Sequence, residues 1–176
     1  MLISERVDKA IRTIPDFPKK GIMFKDITPV LENANLSSDI VNELVKQCAG
    51  VKIDAIAGVE SRGFLFGFSM AMKLGVPFVL IRKKGKLPAE TISYKYDLEY
   101  GSAEIEMHVD SVEEGMRVLI HDDLLATGGT AVAAAELIQK SGGKVAGFSF
   151  VVELSFLKGK EILNKYSEFN KSIVNY

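Results

Sequence analysis

The sequence predicts an α/β fold, a parallel sheet flanked by helices, and three observations carry that expectation. The apolar run over residues 53–59 passes through the turn Glu60-Ser61-Arg62-Gly63 into a helical pattern over 64–74 and a second apolar run over 76–81, which is a βαβ unit. The same layout returns with a strand over 117–121, an Ala-rich helix over 130–140, a stop at Ser141-Gly142-Gly143 and a strand over 144–152. No repeat, low-complexity tract or linker divides the chain, and 176 residues at 47% hydrophobic content suffice for a single core.

The remaining elements follow in order. Val7, Ala10, Ile11 and Ile14 fall at helical spacing after Ser4, which predicts a short amphipathic helix over 4–14, N-capped by Ser4 and ended by Pro15. Residues 15–29 hold three prolines and two phenylalanines without a clear period, and composition favours a packed loop. The sharper alternative gives Phe24 an aromatic face for a flat ligand; nothing local decides between them. Ile40, Val41, Leu44, Val45 and Cys48 line one face of a helix over 37–49 that Gly50 ends. Four cations lie among Arg82, Lys83, Lys84, Gly85 and Lys86 at the C-terminal end of a strand, where such sheets place their ligand crevice. Residues 91–109 alternate loosely, with Ile105, Met107 and Val109 on one face and Glu104, Glu106 and His108 on the other. This pattern predicts a long hairpin or flap of the kind that acts as a lid. Glu99 rides on it, a solvated carboxylate unless closure carries it to reacting atoms. A short helix and an edge strand near Ser172-Ile173-Val174 complete the chain without a chemical signal.

Composition excludes several functions. The formal net charge of −1 gives no basic field for nucleic acid, so no nucleic-acid partner is expected. Cys48 alone rules out an intramolecular disulfide and reads as a buried structural thiol; with only His108 and His121 beside it, a zinc cluster has too few ligands. No run approaches the roughly 20 apolar residues of a membrane span, and the first residues lack a signal-peptide layout, so a soluble, cytoplasmic protein without membrane partners is expected. His121, inside an apolar strand, reads as a packed neutral side chain.

The chemistry concentrates in Arg117-Val118-Leu119-Ile120-His121-Asp122-Asp123-Leu124-Leu125-Ala126-Thr127-Gly128-Gly129-Thr130. Ala126, Thr127, Gly128, Gly129 and Thr130 can bring several backbone N–H groups and two hydroxyls onto one anion at the positive end of a helix. Asp122 and Asp123 cannot bind that anion and suit hydroxyls or a metal-bound group. Arg62, at the equivalent turn of the first βαβ unit, offers a second anion seat or is a solvated surface residue; the turn alone weighs these equally. Two anion seats, a carboxylate pair between them and a basic lid ask for a ligand phosphorylated at both ends with hydroxyls in the middle, and phosphoribosyl diphosphate is such a molecule. The Gly-rich turn lacks the lysine of the Walker pattern, and no G-x-G-x-x-G is present, so triphosphatase and dinucleotide readings are weak.

The run from Val118 to Thr130, four mainly apolar residues, two acids and Thr-Gly-Gly-Thr, resembles the phosphoribosyl-diphosphate motif of the type I phosphoribosyltransferases. Three further stretches narrow the resemblance to the adenine phosphoribosyltransferases: Phe17-Pro18 through Gly21-Ile22-Met23-Phe24-Lys25-Asp26-Ile27-Thr28-Pro29-Val30, Glu60-Ser61-Arg62-Gly63-Phe64-Leu65-Phe66-Gly67, and Leu80 to Pro88 continuing to Leu98-Glu99-Tyr100-Gly101. In the family's order they span about 15–153.

The resemblance implies one type I core over 1–176, with a small N-terminal hood (1–34) for the base and a flexible lid (82–108). It implies transfer of phosphoribosyl from phosphoribosyl diphosphate to adenine, giving AMP and diphosphate, by a homodimer. On this chain Ala126 to Thr130 would hold the 5′-phosphate, and Asp122 and Asp123 the ribose hydroxyls. Ser61, Arg62, Arg82, Lys83 and Lys86 would hold the diphosphate, some reaching in from a second subunit. The base would lie between Phe24 and Leu124, its edge read by the backbone of Met23 and Lys25. Glu99 would handle the imidazole-ring proton. The cofactor would be Mg²⁺ carried by the substrate, with no direct protein ligand. A strained Glu60–Ser61 peptide is also implied, cis being one form it can take. The chain departs from the family at His121, where an aliphatic residue is commoner, and at Ala131, where a larger apolar one is frequent. The rival readings are a transferase for another purine base and a regulatory sensor of the sugar diphosphate without catalysis.

Overall fold

The computed structural model describes residues 1–97 and 101–176; Glu99 lies outside them. The first helix, α1 (Ile3–Ala10), is closed at its start by Glu5, whose Oε2 accepts the Leu2 N–H at 2.9 Å. Both bounds correct the expectation of a helix over 4–14 capped by Ser4. Residues Arg12–Pro15 instead form a strand, β1, pairing antiparallel with β2 (Met23–Asp26) with Thr13 opposite Lys25 and Ile14 opposite Phe24. Thr13 and Ile14 are β-branched, and Ile14 precedes a proline, both of which favour extended backbone over helix. The stretch expected to be aperiodic loop therefore contributes a strand and then α2 (Thr28–Leu31), whose start is fixed by Asp26 Oδ1 accepting from the Thr28 N–H at 2.9 Å and hydroxyl at 2.6 Å.

Helix α3 (Ala34–Gln47) starts three residues before the predicted position because Asn33 caps it, its Oδ1 accepting the Leu36 N–H at 3.0 Å. The first βαβ unit stands as β3 (Ala55–Val59), α4 (Gly63–Leu74) and β4 (Phe78–Lys83), with β3 and β4 parallel. The predicted hairpin is β5 (Thr91–Asp97) and β6 (Ser102–His108). It is not a free flap along its whole length: β6 also pairs with β4, Arg82 facing Glu106, so the hairpin extends the main sheet. The predicted alternation holds within β6, with Ile105 and Met107 packed in the apolar core and Glu104 and Glu106 on the opposite face, but that face is covered at Glu106. Glu106 is buried and Val109 is exposed. The Glu106 carboxylate accepts the backbone N–H groups of Lys86 (3.0 Å) and Leu87 (3.1 Å) and the Thr91 hydroxyl (3.2 Å). Burial alone would raise its pKa, but these donors outweigh burial and hold it low.

The second unit comprises β7 (Arg117–Leu125), α5 (Gly129–Lys140) and β8 (Lys144–Glu153). Here β7 runs four residues past its predicted end, carrying Asp122 and Asp123 inside the strand, because β8 pairs with it as far as Leu125 opposite Glu153. After α6 (Gly159–Leu163), β9 (Asn170–Asn175) closes the sheet edge, parallel to β8. The seven strands run in the order β5-β6-β4-β3-β7-β8-β9. Helix α5 covers one face with Ala133, Ala134, Leu137 and Ile138 against Val118, Ile120 and Phe148; α1, α3 and α4 cover the other around Ile56, Leu119 and Val151. Small alanines let α5 approach the sheet closely. Among the described residues no helix is long and apolar enough to cross a membrane.

Candidate active site

The C-terminal ends of β3, β4 and β7 lie side by side, and the turn after β3 presses directly onto β7. A Cβ on Gly63 would stand 2.7 Å from the His121 carbonyl oxygen and 3.1 Å from Asp122 Oδ1, so only glycine permits this approach. The Glu60–Ser61 peptide in the turn is cis. The approach brings Arg62 Nε to 2.8 Å from Asp123 Oδ2. This oxygen is buried and has no aligned hydrogen-bond donor among the described residues, so the Arg62 contact acts through charge. Glu60, Ser61, Arg62, Lys83, Asp122 and Asp123 line one cavity of about 250 Å³.

Charge in this cavity is finely set. Burial first, then the neighbouring Asp123, raises the pKa of Asp122 well above the ordinary carboxylate range, while Arg62 opposes the rise. For Glu60 burial pushes upward, but the Lys83 N–H at 3.0 Å and the Arg82 guanidinium, Nε at 3.2 Å, outweigh it and lower its pKa. Arg82 also donates from Nη1 to the Lys86 carbonyl at 3.0 Å. Arg82 thus braces Glu60 and the basic turn, and neither it nor the exposed Lys86 side chain lines the cavity.

One step further along β7, Leu124, Leu125, Ala126, Thr127, Gly128, Gly129 and Thr130 line a larger cavity of about 620 Å³ with Asp97, Ala131 and Phe150. Gly128, at φ 89°, turns the chain into α5, and the helix's positive end can take an anion there. Gly159 matters equally, since a Cβ on it would collide with the Ala126 carbonyl oxygen and stand 3.1 Å from Gly128 N. On the other side the Tyr96 hydroxyl lies 3.2 Å from Thr130 Oγ1, tying the hairpin to the Gly-rich turn. No local pattern in the sequence singles out Tyr96, Asp97, Phe150 or Gly159.

In the N-terminal ribbon Phe24 is half-buried. The edge of Phe17 meets it at 5.1 Å and 74°, and the Arg62 guanidinium carbon lies 5.8 Å from its centroid. Met23 is exposed, and Lys25 donates from Nζ to Thr13 Oγ1 at 3.0 Å. An aromatic face therefore adjoins the cationic pocket, and the two cavities follow each other along one strand.

Residues 28–171 match the family model described as a phosphoribosyl transferase domain. The chain is 50% identical over 175 residues to the adenine phosphoribosyltransferase of Cytophaga hutchinsonii, covering 99% of this chain and 97% of that protein. The chain belongs to the adenine phosphoribosyltransferase family. A second relative carrying that name, from a Thermoanaerobacter species, is 56% identical over 162 residues, 92% of this chain and 94% of its own length. The crystal structure of the adenine phosphoribosyltransferase from Thermoanaerobacter pseudethanolicus superimposes at a TM-score of 0.94 with 52% identity, covering 98% of this chain and 99% of that one. The Giardia lamblia enzyme complexed with 9-deazaadenine gives 0.93 at 36% identity, covering 100% and 98%. The expected family and its α/β core with flanking helices are thus both borne out, and the expected parallel sheet is extended by the antiparallel strands β5 and β6 into a mixed one.

Proposed function

We propose that this chain transfers the 5-phosphoribosyl group from phosphoribosyl diphosphate to adenine, giving AMP and diphosphate in purine salvage. The observation that carries the reading is the succession along β7: a cationic pocket at Arg62 and Lys83, the pair Asp122 and Asp123, then the anion-binding turn from Ala126 to Thr130, with Phe24 beside Arg62. The names of the relatives and the 9-deazaadenine in the Giardia complex support adenine as the acceptor. The whole chain acts as one domain, residues 1–34 forming the hood and 82–108 the lid.

In this reading the N–H groups from Ala126 to Thr130 hold the 5′-phosphate, and Ser61, Arg62 and Lys83 hold the diphosphate, with Arg82 and Lys86, outside the cavity lining, reaching it only as the basic turn moves onto the substrate. Adenine lies between Phe24 and Leu124, its edge met by the backbone of Met23 and Lys25. A ring nitrogen of adenine bonds to the anomeric carbon as the bond to diphosphate breaks, with inversion, and the displaced ring proton passes to Glu99. Asp122 and Asp123 take the ribose hydroxyls. Burial first and then the neighbouring Asp123 make the charge on Asp122 costly, and positive charge on the sugar ring offsets that cost, so the pair favours the oxocarbenium-like transition state over the ground state. Asp122 and Asp123 would meet Mg²⁺ through the ribose hydroxyls they take, the ion being carried by the substrate without a direct protein ligand, since the buried Asp123 Oδ2 already faces the Arg62 guanidinium. When bound, Mg²⁺ neutralises charge on the diphosphate and ribose oxygens.

The purified protein, given Mg²⁺ and phosphoribosyl diphosphate, is expected to release diphosphate with adenine and scarcely with hypoxanthine or guanine. Intact donor binding without turnover of any purine would favour a sensor. The homodimer belongs to the same proposal. Leu65, Phe68 and Met72 on α4 are 47%, 54% and 69% exposed and continue through Phe64 and Phe78 to Leu80, an apolar face that a second copy can cover by two-fold symmetry. Phe68→Lys should convert a dimer to monomers in sedimentation; an unchanged sedimentation coefficient places the interface elsewhere.

A further inference from the structure

The β1–β2 ribbon pairs only with itself, outside the seven-stranded sheet. An isolated two-stranded ribbon is marginally stable, so something else must fix its position. Tyr176, following β9, meets it. The Lys25 ammonium sits 3.7 Å above the centroid of the Tyr176 ring. The phenol hydroxyl donates to Asp8 Oδ1 of α1 at 2.5 Å, which pushes electron density into the ring and strengthens its hold on the cation. The same ammonium donates to Thr13 Oγ1, opposite Lys25 in the ribbon, at 3.0 Å. The Tyr176 backbone is held on both sides, its N–H donating to the Glu153 carbonyl at 2.9 Å and its carbonyl accepting the Ser155 N–H at 2.8 Å. The ring is therefore anchored to the main sheet. Successive strand side chains alternate faces. With Lys25 clamped on one face, Phe24 is presented on the other, where Arg62 lies 5.8 Å from its ring.

We infer that Tyr176 is a positioning residue for the second substrate: through Lys25 it seats the ribbon so that the backbone of Met23 and Lys25 and the face of Phe24 meet the base. This rests on the adenine reading above. Nothing in the clamp touches the anion seats, so it acts on the acceptor alone. Lys25→Met and Tyr176→Leu are each expected to raise the KM for adenine about tenfold, leaving kcat and the KM for phosphoribosyl diphosphate within about twofold. Tyr176→Phe keeps the ring and should stay within about threefold of wild type. The double variant should be no worse than either single one, because both remove one contact. If Tyr176→Leu does not fold, Lys25→Met, which leaves the Tyr176–Asp8 bond intact, decides. Given a wild type that uses adenine, an unchanged adenine KM in the single variants, a lowered kcat with both KM values raised, or additive effects in the double variant would overturn the clamp while leaving the adenine reading standing. A wild type inert toward adenine would overturn both.

Discussion

Replacing Arg62 with alanine is expected to lower kcat/KM for phosphoribosyl diphosphate by about 10²- to 10³-fold, the scale of losing one preorganised charge-stabilising donor. Two effects combine. The pocket of Glu60, Ser61, Arg62, Lys83, Asp122 and Asp123 loses the cation that reaches into it beside the acids, leaving Lys83 to meet the diphosphate. The buried Asp123 also loses the guanidinium nitrogen 2.8 Å from its carboxylate, and the two acids then repel each other without the cation that touches them. The second effect has its own signature. Burial and Asp123 already raise the Asp122 pKa, and Arg62 is the cation that opposes them. Removing it raises the Asp122 pKa further, so a reaction needing the ionised pair loses activity at a higher pH than in wild type. The acid limb of the kcat/KM profile should shift upward in Arg62→Ala and less in Arg62→Lys, which keeps the charge but loses the planar fork. A uniform rate loss with an unmoved acid limb would separate Arg62 from the carboxylate pair and confine it to binding.

How far such a site can be read from sequence depends on whether its parts are local. The turn from Ala126 to Thr130, the acids before it and Arg62 at the equivalent turn of the other unit were all legible, because each lies where an apolar run meets small polar residues. The bounds of β3, α4, α5 and β8 followed the hydrophobic periods closely for the same reason. The β1–β2 ribbon was not legible. Four-residue strands, one of them ending in a proline, give no alternation to detect, and Val7, Ala10, Ile11 and Ile14 continue the helical period past the true end of α1. The alternation of β6 puts Glu106 on the face of Glu104, yet its burial is not legible, because β6 lies between β5 and β4, where a carboxylate can be buried if a neighbouring turn donates to it. The Tyr96–Thr130 contact and the Gly159–Ala126 approach join residues about thirty apart, and no single-strand or single-helix pattern encodes them. Arg82 shows the opposite limit: its position beside the crevice was foreseen, while its bonds to Glu60 and the Lys86 carbonyl became visible only in three dimensions.

His121 illustrates a residue whose type matters to stability although it stands next to the chemistry. It is fully buried in β7, with Nδ1 3.3 Å from Ser149 Oγ and Nε2 without a hydrogen-bond partner among the described residues. Burial lowers its pKa from the ordinary value of 6.5 to about 3. The folded chain therefore refuses a proton that the unfolded chain accepts below pH 6.5. Stability from this source is complete above that pH and is lost as the pH falls toward 3, at about 1.4 kcal/mol per unit. Between pH 6.5 and 4.5 the loss is about 2 kcal/mol, or on the order of 4–8 °C in Tm for a domain of this size. His121→Leu removes the proton-binding group and the unpartnered Nε2 together, leaving only Ser149 Oγ without its neighbour. The variant should melt within a few degrees of wild type at pH 7.5 and clearly above it at pH 5, and the difference between the two Tm–pH curves isolates the histidine from titrating carboxylates common to both. Parallel curves across that window would mean that His121 takes up its proton in the folded protein, with Ser149 Oγ or an opened β7–β8 seam accommodating the charge.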